Sequence, residues 1–188
     1  GLGDVYKRQT QDDKRWNIYE VNLDGTGFKP LVESDEPDLE FYDGTYLPDG
    51  RVIAISNIGY QGVPCVNGSD AVGNMVLYNP KDKSMRRLTF DQDANWNPVI
   101  MNNGRVMYTR WEYTDLTHYY SRIVMHMNPD GTENKALYGS GAMFPNSTFD
   151  IQPLPGHGSA FVGIISGHHG VARSGRMICL LYTSDAAD

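Results

Sequence analysis

Apolar residues fall in short runs rich in β-branched and aromatic side chains, and Gly, Pro, Asn and Asp separate the runs. Helical spacing is nearly absent. This is strand-and-turn chemistry. The runs also repeat. One unit is IYEVNLDG (18–25), MVLYNPKD (75–82) and VMHMNPDG (124–131), each a strand that ends in an Asn before a polar turn. Those Asn residues, Asn22, Asn79 and Asn128, stand 57 and 49 residues apart. A second unit is LPDGRVIAIS (47–56), MNNGRVMYTR (101–110) and, more weakly, LPGHGSAFVGI (154–164). Its arginines, Arg51 and Arg105, are 54 apart.

Two interleaved strand motifs with a period near 50 residues predict the four-stranded blades of a β-propeller. The stretch before each P-D-G or N-N-G turn is strand A and the GRV run is strand B. The run ending in Asn is strand C, and KPLV (29–32), RRLTF (86–90) and KALY (135–138) are strand D. Asp49-Gly50 and Asn103-Gly104 suit two-residue hairpin turns, because Asp, Asn and Gly tolerate positive φ. The fold class is all-β: a partial propeller of about three antiparallel blades. It comprises C–D of one blade, two complete blades, and A–B with the start of C of a fourth.

Neighbouring strands in a blade run antiparallel, so the short A–B and C–D turns share one end of the sheet. The B–C and D–A connections share the other. The second set is long and chemically rich. It includes 33–43 (ESDEPDLEFYD), 57–73, 91–98 (DQDANWNP), 111–121, 138–150 and 166–175. Scaffold folds carry their sites on such loops.

The two ends of the chain read differently. GLGDVYKRQ (1–9) back-translates to fit a transposon-adapter tag of the kind used for sequencing libraries, and CLLYTSDAAD (179–188) fits the opposite adapter in reverse complement. We read 1–9 and 179–188 as adapter-derived and 10–178 as a propeller fragment of a longer chain. Three blades' worth leaves raw sheet edges, so 10–178 alone is expected to be insoluble or oligomeric. Cys179 lies in the suspected adapter, which leaves Cys65 alone and no disulfide or redox compartment to infer.

The whole chain has 16 basic and 23 acidic residues; setting aside Lys7, Arg8, Asp4, Asp185 and Asp188 leaves 14 and 20, a net of −6. A mildly acidic domain without Lys/Arg runs argues against nucleic acid and anionic membranes. No apolar run approaches the roughly 20 residues that span a bilayer. There is no CxxC or CxxCH, no G-x-S-x-G elbow and no phosphate-cradling glycine loop.

Candidate chemistry gathers on the long-loop face. Trp96, Arg110, Trp111, Glu112, Tyr113, Asp115 and His118 are the candidate partner-binding face. Glu112 and Asp115 form either a carboxylate pair or, with Arg110, a structural ion-pair network. Trp111 and Tyr113 either pack a neighbouring blade or stack a ligand. Asp91 and Asp93, with Asn95 and Asn97, offer the oxygen ligands a hard cation such as calcium takes, without EF-hand spacing. Otherwise they cap turns. His168 and His169, in GHHG, could ligate a metal or haem iron, and an extended chain would aim only one of them at it. His126, in a strand between Met125 and Met127, reads as structural.

The segment 91–140, with NNGRVMYTRWEYTD, MNPDGT and YGS, followed by GHHG, resembles the middle domain of the hydrazine synthase alpha subunit and its wider bacterial relatives. The resemblance covers most of 10–178. It implies a six-bladed parent in an extracytoplasmic protein, with the propeller between two haem-bearing domains. Those neighbouring domains are the first partners it implies. The covalent haems of that family need CxxCH, which is absent, so no cofactor is assigned to this stretch itself. What the resemblance transfers is the fold and the suggestion that His168 or His169 reaches a haem on an adjacent domain. The blade repeats are also similar to Tol-type periplasmic propellers, and a propeller attached to a serine hydrolase is a further reading that would need a G-x-S-x-G domain downstream. Three functional expectations follow: a non-catalytic scaffold or binding module, the propeller of a multihaem redox enzyme, or a Tol-type or hydrolase-associated propeller.

Overall fold

The structure, a computed structural model, describes residues 4–9, 15–113, 122–140, 147–167 and 175–182. Its strands form four antiparallel sheets in chain order. The first holds β1 (Asp4–Gln9), β2 (Trp16–Val21) and β3 (Lys29–Pro30). The second holds β4 (Phe41–Tyr46), β5 (Val52–Ser56), β6 (Asn74–Asn79) and β7 (Ser84–Arg87). The third holds β8 (Asn95–Ile100), β9 (Val106–Trp111), β10 (Arg122–Met127) and β11 (Lys135–Tyr138). The fourth holds β12 (Thr148–Pro153), β13 (Ala160–Ile165) and β14 (Arg176–Leu181). This is a partial β-propeller, as the repeats predict. Sheets one and two form one compact unit, Gly1–Ala94, and sheets three and four another, Asn95–Asp188.

The two terminal strands reach into the segments read as adapter-derived. β1 pairs along its length with β2, and β14 runs past Ile178 to Leu181 beside β13. Such pairing is independent of where the residues come from, since an open sheet edge accepts a further strand.

The middle strands of the complete blades are buried with little alternation because both of their faces are covered. β5 and β10 are buried at every position, whereas the outer strand β7 alternates between exposed and half-buried. In the first unit Ile18, Val32, Phe41, Val52, Ala54, Val76 and Tyr78 share one core; in the second Met101, Met107, Val124, Ile151 and Phe161 do. Each fully buried Val, Ile, Met or Phe side chain among these contributes about 1.5–3 kcal/mol.

The repeats have a hydrogen-bond basis. In the C–D turns Asn22 N–H donates to the Thr26 carbonyl at 2.9 Å, and Asn128 N–H to that of Thr132 at 2.9 Å. The side chains of Asn22 and Asn128 then reach the Thr26 and Thr132 hydroxyls at 3.1 and 2.9 Å. The A–B turns differ from expectation. Leu47 and Met101 N–H bond the Arg51 and Arg105 carbonyls, which closes three-residue loops. Only the glycines, Gly50 (φ 87°) and Gly104 (φ 80°), are left-handed there. Asp49 and Asn103 act instead through their side chains, each accepting from the following arginine N–H.

His126 is structural, as its strand context suggests. It is 9% exposed, and its Nδ1 accepts from Arg105 Nε at 2.9 Å. Arg105 also donates to Asn128 Oδ1 at 2.6 Å and to the Glu133 carbonyl at 2.8 Å, tying both turns of the third sheet together. Among the described residues, no helix is long and apolar enough to cross a membrane.

Candidate functional site

Strand A carries the same irregularity in three sheets. The A–B register shifts between Tyr42 and Thr45, between Trp96 and Val99, and between Phe149 and Gln152. Each shift contains a left-handed Asx residue: Asp43 (φ 49°), Asn97 (φ 52°) and Asp150 (φ 49°). Asp and Asn bear positive φ better than other side chains, so a polar residue sits inside the strand without ending it. This corrects the placement of the D–A connections, whose last residues already belong to β4, β8 and β12. An aromatic residue precedes every bulge: Tyr42, Trp96 and Phe149. All three stand at the end of the sheet that bears the long connections.

Ladder pairing aligns two further positions there. Counting from the B–C ladders, Asn57, Trp111 and Ser166 are equivalent where strand B leaves the sheet. Trp16, Gly73, Arg122 and Gly175 are equivalent where strand C starts. Different side chains at these positions give the two units different ends.

In the second unit the space is filled. Trp111 is 3% exposed and Arg122 1%. The Arg122 guanidinium lies 4.7 Å from the Trp111 ring, 5.2 Å from Trp96 and 5.8 Å from Phe149. Trp111 meets Trp96 at 5.8 Å and the edge of Tyr113 at 5.4 Å. Arg110 and Glu112, both half-buried, pair at 2.6 Å. The predicted residues Trp96, Arg110, Trp111, Glu112 and Tyr113 therefore do come to one end of one sheet. There Trp111 packs inside the protein, and Arg110 with Glu112 forms the ion pair of the structural alternative. Arg122, which composition and spacing did not flag, is the centre of the cluster. Asp115, His118, His168 and His169 lie outside the described residues.

Asp91 and Asp93 lie between β7 and β8. Asp93 is buried, and the Asp91 carbonyl accepts from Asn74 Nδ2 at 3.2 Å. Among the described residues, no group of three or more His, Cys, Asp or Glu is arranged to hold a metal ion.

In the first unit the equivalent end is open. A cavity of about 560 Å³ is lined by Arg15 and Trp16 at the start of β2, by Asp38, Glu40 and Tyr42 leading into β4, and by Asn57 and Asp70 of the B–C connection. This size is typical of small-molecule sites. Asn57 fixes one wall: its Oδ1 accepts from Glu40 N–H at 2.9 Å, and its Nδ2 donates to the Asp38 carbonyl at 2.9 Å. Arg15 Nη1 donates to the Glu36 carbonyl at 3.2 Å. Gly73 makes room for the Tyr42 ring, since a Cβ there would collide with the Tyr42 hydroxyl and Ile55. Burial, with the nearby charges of Asp43 and Glu40, pushes the Tyr42 hydroxyl well above its ordinary pKa, so it remains a protonated donor. None of these cavity residues was singled out from the sequence. The available signal was the acidic stretch 33–43, with six carboxylates in eleven residues and no cation.

No family model matches the chain. No curated protein sequence matches it either. Solved structures do. Hydrazine synthase of Kuenenia stuttgartiensis superposes with a TM-score of 0.71 at 9% identity, over 95% of this chain and 29% of that one. A putative TolB of Agrobacterium tumefaciens gives 0.56 at 18% identity, over 73% and 46%. Puromycin hydrolase gives 0.54 at 12% identity, over 88% and 24%. The chain thus spans less than half the length of each. At these identities the likeness shows the propeller fold, and one fold hosts many functions.

Proposed function

We propose that this chain is a non-catalytic binding module of a larger extracytoplasmic bacterial protein, of the kind formed by the middle domain of the hydrazine synthase alpha subunit. It engages its partner through the end of the sheets that bears the B–C and D–A connections. The observation that carries this reading is the cavity of the first unit, whose walls come from those connections and from the start of β2. The opposite end is made of short turns closed on their own hydrogen bonds. Structural likeness to hydrazine synthase and TolB supports the module reading.

The test is a mixed panel of small cationic, neutral and anionic fragments titrated into the isotope-labelled chain and followed by amide NMR. Shifts gathered in 33–43 and 57–73 are expected. Shifts confined to the turns at 47–51 and 101–105, or none at all, would overturn the proposal.

A further inference from the structure

Among the described residues the four sheets have eight edge strands, and seven of them are guarded. β3 is Lys29-Pro30, β7 carries Arg86 and Arg87, β11 carries Lys135, and β1 carries Lys7 and Arg8. β4, β8 and β12 carry the bulges at Asp43, Asn97 and Asp150. Cations, proline and bulges keep an edge from recruiting another strand. From Met177 to Leu181, β14 has none of these. Met177, Ile178, Cys179, Leu180 and Leu181 are uncharged, and their ladder with β13 runs without a shift. Among the described residues, no strand lies on the outer side of β14. Its counterparts β6 and β10 are each covered there by a fourth strand.

This edge has a centre. Tyr182 N–H donates inward to the Ser159 carbonyl at 2.7 Å. Backbone groups alternate sides along an edge strand, so those of Leu180, Ile178 and Arg176 also face β13. Those of Met177, Cys179 and Leu181 face outward. The side chains of the same three residues share one face of the sheet. Met177 is 80% exposed, Leu181 is 73% exposed, and Cys179 is an exposed free thiol. The set is symmetric about Cys179.

We propose that β14 pairs with β14 of a second copy of this chain, antiparallel and about a two-fold axis at Cys179. This register sets Met177 opposite Leu181 of the partner subunit and Cys179 opposite the partner's Cys179. It engages all the outward groups of each edge, three N–H and three C=O, and covers the exposed apolar side chains with each other. Centring on Ile178 or Leu180 instead would leave Leu181 or Met177 without a partner inside the strand. Two three-stranded sheets thereby become one of six strands, and the interface is self-complementary. One strand against another is small beside the roughly 1,600 Å² of a standard interface, so the dimer forms as concentration rises. The pairing depends on the edge as it stands, whatever the origin of 179–182, and is independent of the proposed binding face.

Opposed residues of a hydrogen-bonded antiparallel pair have Cα atoms about 5.5 Å apart, a separation that a disulfide spans. The full chain is therefore incubated with oxidised glutathione over a concentration series. The Cys179 thiolate attacks the glutathione disulfide and releases one glutathione. The partner's Cys179 thiolate then displaces the second and closes the disulfide between the copies. Tryptic mapping is expected to find 177–188 joined to a second copy of itself, at least tenfold over any product with Cys65. Sedimentation of the reduced chain should show monomer and dimer alone. Charges at the two exposed positions test the register. Met177→Lys with Leu181→Lys sets like charges opposite each other and should weaken the dimer at least tenfold. Met177→Lys with Leu181→Glu sets Lys opposite Glu and should bind at least fivefold tighter than the double lysine at low salt. Equal affinities for these two variants would refute the register. A chain that stays monomeric at every concentration would refute the dimer. Cross-links spread evenly over Cys65 and Cys179, as in an unspecific aggregate, would refute both.

Discussion

Removing the Trp111 ring should unfold the second unit before any other single truncation we name. The indole is 3% exposed and lies within stacking range of Arg122 and Trp96 and edge-on to Tyr113. Truncating a buried Trp to Ala costs about 3–5 kcal/mol from lost burial and the cavity left behind. The upper part of that range applies here, because a guanidinium that is 1% exposed loses one of its three aromatic faces. Taking about 4 kcal/mol and a urea m-value near 2 kcal/mol/M, the midpoint should fall by about 2 M. The assay is urea unfolding followed by far-UV circular dichroism, with hydrogen exchange at 122–127 to assign the loss to the second unit. A double-mutant cycle then isolates the stack. Trp111→Leu, Arg122→Met and the double variant should show a coupling of about 1–2 kcal/mol, since the two side chains are in direct contact. A midpoint shift under about 0.5 M, or a coupling within about 0.3 kcal/mol of zero, would refute the stack as a source of stability.

Four further outcomes follow from the structure. Gly73→Ala should drive the Tyr42 ring out of its place and cost about 1–3 kcal/mol through overpacking; a wild-type melting curve would show that the ring relaxes freely. Arg105→Lys should cost about 1.5–3 kcal/mol, because lysine cannot reproduce a fork shared by His126, Asn128 and Glu133. Arg51→Lys, which disturbs only a solvent-exposed pair with Asp49, should stay within about 0.5 kcal/mol, and equal losses at the two arginines would sink the distinction. Burial, then the positive charge of Arg105, holds His126 below its ordinary pKa. Its contribution to stability is therefore full above about pH 6.5 and is lost as pH falls below that value, where the unfolded chain takes the proton first. The gap in melting temperature between wild type and His126→Gln should narrow from pH 7.5 to pH 5.5, and a constant gap would rule the histidine out.

The blades were legible because their signals are local. N-x-D-G-T and the x-G-R-V run each encode a turn and its closing hydrogen bonds within a few residues, so the period survives in the sequence. The adapter-like ends could not be judged from pairing, since an edge accepts a strand of any origin. The aromatic cluster was half legible. Trp111 and Tyr113 stand out in composition, but nothing in YYSRIVMHM marks Arg122 as the cation against Trp111, because its aromatic neighbours Trp96, Trp111 and Phe149 come from β8, β9 and β12. The cavity was not legible as a site. Trp16, Glu40, Tyr42, Asn57 and Asp70 come from three separate segments, and only the sheet-to-sheet register brings them together. One signal was available and passed unread: F-Y-D, N-W-N and T-F-D recur 54 and 53 residues apart and mark the aromatic-plus-Asx bulge of each strand A.

The repeat constrains the two ends of the sheets unequally, and this explains where the chemistry varies. At the turn end, side chains are consumed by the backbone. Asn22 and Asn128 close the same turn through the same bonds, so a change there is felt as lost ladder. At the other end, the bulged strand A and the open start of strand C leave three side chains whose size is not dictated by pairing. Trp16 and Arg122 pair at the same ladder position despite their different side chains, and in the second sheet the ladder stops one residue short of Gly73. Side-chain identity there is free to decide whether the space between two sheets is filled by an internal guanidinium, as at Arg122, or left as a chamber walled by carboxylates, as beside Trp16 and Tyr42. A fold built this way can exchange a filled position between two sheets for a cavity by changing a few residues that carry no ladder bond through their side chains.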